Sequence, residues 1–578
     1  MRALPVAALL TLTLALAAGA HAAPPRLTVE RGDDPAIVDE GGREVLLRGL
    51  NVNQLGDYYQ ADPALPTTMP LGERDFEEIA RLGFNVVRLV MNWSAFQPER
   101  GAFDTRYVAR VREAVRWAAE HDLYVVLDMH QDAWGKHIAT PPGYRCEPGL
   151  GPAVGWDGAP LWATFTDGMT TCRANDTREL SPAVAQAFES FYADREGIQR
   201  ELVATWGRIA AAFAQEPNVI GYDLLNEPHP GFRVGVNQSG PLGQYYARSI
   251  AAIRAGESEK RIVFFEPSVL WSGFGNDTLP PPGFTDDPLI VFAPHLYSES
   301  ISVDQGATSI ERGFDNAERA AESYGAPLWS GEWGWFGDPM EARPRLERYI
   351  AQEDARRIGG AWWVWKQACG DPHVVGYPGA SGSLNPSECP SGRPQGLVTG
   401  YTDLLRRAYP RFAPGRLTSL RSAWESGEWS LAGRAGDGAC RLEVWVPERE
   451  PDVRAENVAD LRVERRPGGF LVTGCARGEY ALRGAPARIG APASPASTPC
   501  RSKRRIVIHA RGRPLSVRTR GVRPRSVRRR GRRVVLDLRG SAKGRIVVTI
   551  RLRGGRTERR VYLTCRPNPR RSARPGGR

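Results

Sequence analysis

Lysine is nearly absent from this chain: five of the 77 basic side chains in its 578 residues are lysine. That bias weakens any argument resting on arginine richness alone. Long apolar runs are missing too. Beyond the first 22 residues no segment is apolar enough to cross a bilayer. There is no tight CxxC pair and no Cys/His cluster, so no zinc-binding pattern is present. The first candidate strand runs into Leu50-Asn51-Val52-Asn53, with no glycine-rich phosphate turn. That argues against a doubly wound dinucleotide-binding sheet.

What is present begins with an export signal. Arg2 supplies the positive start, Leu9 to Leu16 lie in an apolar stretch, and Ala20-His21-Ala22 is a small-residue cleavage site. As a membrane anchor the run is too short. Residues 1–22 therefore read as a signal peptide, and the mature protein as secreted, extracellular or held at the cell envelope. Eight cysteines in an exported chain imply disulfides. Eight allow 105 pairings; the simplest joins neighbours: Cys146–Cys172, Cys369–Cys389, Cys440–Cys475 and Cys500–Cys565. The net charge of +12 conceals a split. Residues 501–578 hold 28 Lys/Arg and 2 Asp/Glu, or +26, leaving 49 basic against 63 acidic residues, or −14, for the rest.

Such a length calls for two or three domains. From residue 27 to 412, β-like runs alternate with amphipathic stretches. Eight candidate strands are Val45–Asn51, Asn85–Met91, Tyr124–Met129, Val219–Asn226, Arg261–Glu266, Leu289–Pro294, Pro327–Glu332 and Gly359–Trp365. Helical stretches such as Asp104–Glu120, Gln199–Ala214 and Pro344–Arg356 fall between them. The fold class is α/β, and eight β/α units predict a (β/α)8 TIM barrel with long loops. Short alternating runs then predict a small antiparallel β-sandwich over 413–488. Residues 489–499 read as a linker, 500–566 as a basic β-rich module, and 567–578 as a disordered tail. The module's charge admits three roles: a solvated β-fold, adhesion to an anionic envelope, membrane or glycan, or nucleic-acid binding. No nucleic-acid motif accompanies it. A monomer is expected.

The chemistry concentrates in Leu224-Leu225-Asn226-Glu227-Pro228 and Trp329-Ser330-Gly331-Glu332-Trp333. Each sets a glutamate after an apolar run, where a carboxylate is costly without a partner or a task. Functional groups of a barrel gather where strands end at its C-terminal face. Glu227 ends the fourth strand and Glu332 the seventh. Arg88, Asp128, His130, Asp132, Asn226, His295, Tyr297 and Trp365 fall at the same level, and Trp162 lies in the long third loop as a lid, a lipid-side contact or loop packing. Alternation along the last strand turns Trp365, rather than Trp362 or Trp363, toward the site.

The segments Tyr222-Asp223-Leu224-Leu225-Asn226-Glu227-Pro228, His295-Leu296-Tyr297 and Gly331-Glu332 resemble those of glycoside hydrolase family 5, the cellulase family, over residues 30–412. Leu127-Asp128-Met129-His130-Gln131-Asp132 and the stretch from Asp157 to Gly168 resemble its endoglycoceramidase branch, as does Tyr409-Pro410-Arg411 ahead of a β-sandwich. The resemblance implies a retaining hydrolase that cuts between a glycan and its ceramide lipid. It assigns Glu227 as general acid/base and Glu332 as nucleophile, with Asn226 at the sugar 2-hydroxyl. Arg88 and Tyr297 would orient the nucleophile, His130 and His295 would line the cleavage subsite, and Trp365 would lie beneath the sugar. A retaining pair needs carboxyl groups about 5–5.5 Å apart and no metal or organic cofactor. The substrate is then a glycolipid. The alternative is a family 5 β-glucosidase or endoglucanase acting on oligosaccharides or on small, for example steryl, glucosides. A further reading is a catalytically inactive carbohydrate-binding protein, against which both glutamates speak.

Overall fold

The computed structural model describes residues 24–487 and 501–566, apart from residues 234–238, 275–278, 301–307, 374–381, 503–504, 522, 540–544, 555 and 564. The expected signal peptide, the linker and the tail lie outside the described residues. So does Cys500, and with it the fourth disulfide. The other three nearest-neighbour pairs form, Cys146–Cys172, Cys369–Cys389 and Cys440–Cys475.

All eight expected barrel strands are present: β1 Arg48–Val52, β2 Val86–Asn92, β3 Tyr124–His130, β4 Val219–Asp223, β5 Ile262–Phe265, β6 Ile290–Phe292, β7 Ser330–Trp333 and β8 Gly360–Trp362. They pair in parallel in the order β6-β5-β4-β3-β2-β1-β8-β7. Parallel bridges Phe292 to Leu328 and His295 to Glu332 join β6 to β7, so the sheet curls into a (β/α)8 barrel. Helices fill the crossovers, among them Thr105–Glu120, Ile198–Ala212 and Pro339–Arg356. The first starts where it does because the Asp104 side chain accepts from the Arg106 and Tyr107 N–H groups, an N-cap.

Both faces of each strand are covered, so β2 and β3 are buried along their whole length. Their outward residues Val87, Leu89, Met91, Val125, Leu127 and Met129 pack into the helical layer. Inward, Val86 and Val126 join Ile262, Ala293 and Ala361 in a separate apolar floor.

The chain enters that floor before it enters the barrel. Strands Leu27–Glu30, Ala36–Asp39 and Arg43–Val45 form an antiparallel meander. The third pairs with Tyr409–Pro414. Leu27, Val29, Ile37, Val45 and Phe412 belong to the same cluster as the barrel's inward floor residues. The division expected at residues 27 and 412 is therefore not a structural seam. The first strands belong to the antiparallel sheet, and residues 24–487 lie within one compact unit. No local signal announces this, because the pairing joins residues more than 350 positions apart. That sheet has nine strands, which include Arg416–Ala423, Glu428–Arg434, Arg441–Pro447, Pro451–Arg466 and Gly469–Pro486.

The second unit contains two three-stranded antiparallel sheets. One joins Arg505–His509, Ser526–Arg530 and Arg533–Asp537; the other joins Pro514–Gly521, Arg545–Leu552 and Thr557–Leu563. Ile506, Ile508, Val534, Leu536, Ile546, Val548 and Ile550 form its core. Strands Pro514–Gly521 and Ser526–Arg530 go unanticipated, because arginines hide their alternation.

Candidate active site

One step up five of the eight barrel strands, the inward residues change from apolar to ionisable. Val86 gives way to Arg88, Val126 to Asp128, Gly221 to Asp223, Phe264 to Glu266 and Ala293 to His295. Strand alternation turns each of these into the lumen. Arg88 is the hub and is fully buried. It donates to Glu332 Oε1 at 2.8 Å, Asp223 Oδ2 at 2.9 Å, Asn226 Oδ1 at 2.9 Å, Glu266 Oε1 at 3.0 Å and Asn51 Oδ1 at 3.1 Å. Asp128 Oδ1 lies 2.9 Å from its Nη2. A guanidinium is the one side chain with enough donors in a fixed plane for this.

Glu227 and Glu332 face each other across the hub. Together with His295 they bring one carboxylate or imidazole atom each within 4.8 Å of one another. Glu332 Oε2 accepts from the Tyr297 hydroxyl at 3.0 Å. His295 Nδ1 sits 2.8 Å from Glu227 Oε1 and 3.4 Å from Glu332 Oε2, while its Nε2 is 3.2 Å from Glu266 Oε1. Glu227 adopts a left-handed φ of 40°, which directs its N–H onto Glu266 Oε2 at 2.9 Å. Burial alone would depress His295, but Glu266 and Glu332 more than reverse this and raise it well above the ordinary imidazole value. Burial pushes Glu266 up to about 8 against the pull of His295. Glu227 ends below the usual carboxyl value: burial raises it, and the His295 hydrogen bond and charge, with Arg178, outweigh that.

Arg178 was not foreseen from the sequence. It lies on the short helix Arg178–Leu180, beyond the loop closed by Cys146–Cys172. Its Nη2 is 3.0 Å from Glu227 Oε2 and 2.7 Å from Asp132 Oδ1, its Nη1 is 2.9 Å from Asp132 Oδ2, and it covers the Trp156 ring at 4.2 Å. His373, also unforeseen, donates from Nε2 to the same Asp132 at 2.6 Å and is raised to about 10: burial would lower it, but Asp371 and Asp132 outweigh this. His130, Asp132, Asp157 and His373 bring ligand atoms within 4.8 Å of one another. The protein's own cation Arg178 already occupies Asp132, where a metal would compete with it. Glu266 carried a legible signal, since it ends a strand as Glu332 does.

The remaining expected residues divide. Asn226 is in place, its amide donating to Gln131 O at 3.1 Å. Asp128 engages Arg88 and His130 Nδ1, the latter at 2.7 Å. One expectation is corrected. Trp365 is fully buried and donates to Asp75 Oδ1 at 3.0 Å; the ring stacked on His130, at 5.3 Å and 14°, belongs to Trp363. Strand β8 ends at Trp362, so alternation no longer governs the residues after it. Of the readings open for Trp162, loop packing is the one seen: it packs edge-on against Trp93 and donates to Gln97 O at 3.0 Å.

Two carboxyl groups opposed at the C-terminal mouth of such a barrel define a glycoside hydrolase. Residues 38–369 match the cellulase family, glycosyl hydrolase family 5, and the chain belongs to it. Endoglycoceramidase I of Rhodococcus hoagii is 26% identical over 483 residues, covering 78% of this chain and 87% of that protein. The crystal structure of an endogalactoceramidase shares 52% identity at a TM-score of 0.73, covering 79% of this chain and 99% of that one. Endo-glycoceramidase II from a Rhodococcus species, in complex with ganglioside GM3, shares 25% identity at a TM-score of 0.61, covering 78% and 99%.

Proposed function

We propose that this protein is a secreted, retaining β-glycosidase that hydrolyses the bond between a reducing-end galactose or glucose and the ceramide of a glycolipid. The observation that carries the lipid reading is where apolar surface is exposed. Among the described residues ten large apolar side chains are exposed, and six of them follow β3 and β4 on the catalytic face: Tyr144, Val154, Leu161, Met169, Leu180 and Phe232. Leu161 is 67% and Phe232 54% exposed. An apolar rim beside a charged sugar site suits a substrate that is half glycan and half lipid. The leaving oxygen must meet Glu227, and Leu180 and Phe232 are near it in the chain. Likeness to endoglycoceramidases over more than three quarters of the chain supports the same reading. The three disulfides suit an oxidising compartment.

Glu332, held by Arg88 and Tyr297, attacks the anomeric carbon while Glu227 protonates the departing ceramide oxygen. Water then enters, gives its proton to Glu227 and adds to the anomeric carbon, releasing Glu332. The closeness of the two carboxyl groups supports this double displacement, since an inverting pair stands about 6.5–9.5 Å apart to admit water.

Incubation with a lactosylceramide-type glycolipid, a digalactosyl analogue, a cello-oligosaccharide and an aryl glucoside tests the proposal. It expects an intact glycan plus ceramide, with the glycan β-configured by NMR when first formed. Cleavage of only the soluble substrates would replace it with the oligosaccharide or small-glucoside reading. No turnover of any would end it.

A further inference from the structure

In the C-terminal unit positive charge is sorted by face as well as abundant. In the sheet of Pro514–Gly521, Arg545–Leu552 and Thr557–Leu563, Ile546, Val548 and Ile550 point into the core. Directly opposed residues of antiparallel strands share a face. Arg518 lies opposite Thr549, which lies opposite Arg559; Arg551 lies opposite Ser516 and Thr557; Arg520 lies opposite Val547. Arg518, Arg520, Arg551 and Arg559 thus stand together on the outer face, all exposed.

The unit has only two acids, Asp537 and Glu558. Asp537 lies on the other sheet and pairs with Arg539. Glu558 lies opposite Ile550, on the inward side, and pairs with Arg560. The outer face therefore presents four positive charges and no negative one. Like charges gathered on one sheet face destabilise it. Bias toward arginine explains the choice over lysine but not the missing acids. In the first unit arginines meet carboxylates, as in Arg48–Asp354, Arg254–Asp287 and Arg348–Glu299.

We propose that this face docks on an anionic phospholipid bilayer and so holds the enzyme at the surface where lipid-borne substrate resides. Four guanidinium groups spread over one sheet face meet a surface of phosphates, which their forks suit. Among the described residues no aromatic side chain on this face offers the base-stacking platform of single-strand nucleic-acid binders; Tyr562, opposite Ile546, lies on the inward side. Each arginine near such a surface contributes about fivefold in affinity, so four contribute about 600-fold.

Co-sedimentation of the full chain with phosphatidylcholine vesicles, with and without phosphatidylglycerol, tests this without reference to catalysis. Binding is expected only with phosphatidylglycerol and is expected to weaken with salt. Changing Arg518, Arg520, Arg551 and Arg559 together to Thr, a good strand former, is expected to cost about 600-fold in binding. Changing all four to Lys is expected to retain most of it. Turnover of a soluble aryl glycoside is expected to stay unchanged in both variants. Undiminished binding by the Thr variant, equal loss in both variants, binding to pure phosphatidylcholine, or binding to duplex DNA but not to the anionic vesicles would each overturn the proposal.

Discussion

Both oxygens of Glu227 face a cation in the resting site, His295 at Oε1 and Arg178 at Oε2. A general acid needs one of them for its proton. His295 is enclosed by Glu227, Glu266 and Glu332, whereas Arg178 stays anchored by Asp132 and Glu179 when it leaves Glu227. The leaving oxygen can therefore take the place of Arg178. The sign of its effect on pH follows. A neighbouring positive charge favours the carboxylate, so Arg178→Gln raises the Glu227 value. The alkaline limb of kcat/KM, which reports loss of that proton in the free enzyme, is expected to move to higher pH. An unmoved limb would count against the role. Glu227→Gln and Glu332→Gln are each expected to lose at least about 10³-fold in kcat, measured on the aryl glucoside. The two glutamates could be read from consecutive residues because each follows an apolar run. Arg178 could not, since nothing near it in the chain distinguishes it from the other arginines.

At the level of elements, the long segment after β3 carries both Arg178 and much of the apolar rim, and the Cys146–Cys172 bridge ties off the part that precedes Arg178. Replacing both cysteines by Ser is expected to cost about 3 kcal/mol of stability and to lower kcat/KM for glycolipid more than for the aryl glucoside. Equal effects on the two substrates would separate this loop from lipid recognition. Gly49 in β1 permits close approach of β2: a Cβ there would stand 2.0 Å from Val86 O. Gly49→Ala is expected to cost about 3 kcal/mol in urea unfolding. Strand positions were legible because a valine-rich run of five to seven residues is its own signal. Strand ends were less so: the expected Gly359–Trp365 runs three residues past the end of β8, and the tryptophan assignment failed with it.

Across the whole molecule, the first strands and Phe412 share one core with the barrel floor. Phe412→Ala is expected to cost about 3 kcal/mol, with activity and near-UV circular dichroism lost in a single thermal transition. Two separated transitions in residues 24–487 would contradict a common core. Among the described residues no helix is long and apolar enough to cross a membrane. The sequence by itself determined the barrel, the β-rich ending and two glutamates that meet in its mouth, and pairing of neighbours anticipated three disulfides. These depend on periodicity, strand ends and short spacings, all local properties of the chain. Only the tertiary structure decided that Arg178 and His373 meet at Asp132, that Trp363 instead of Trp365 stacks on His130, and that the N-terminal strands complete a distant sheet. Each depends on contacts between residues remote in sequence, which no local energy specifies until the chain has closed on itself.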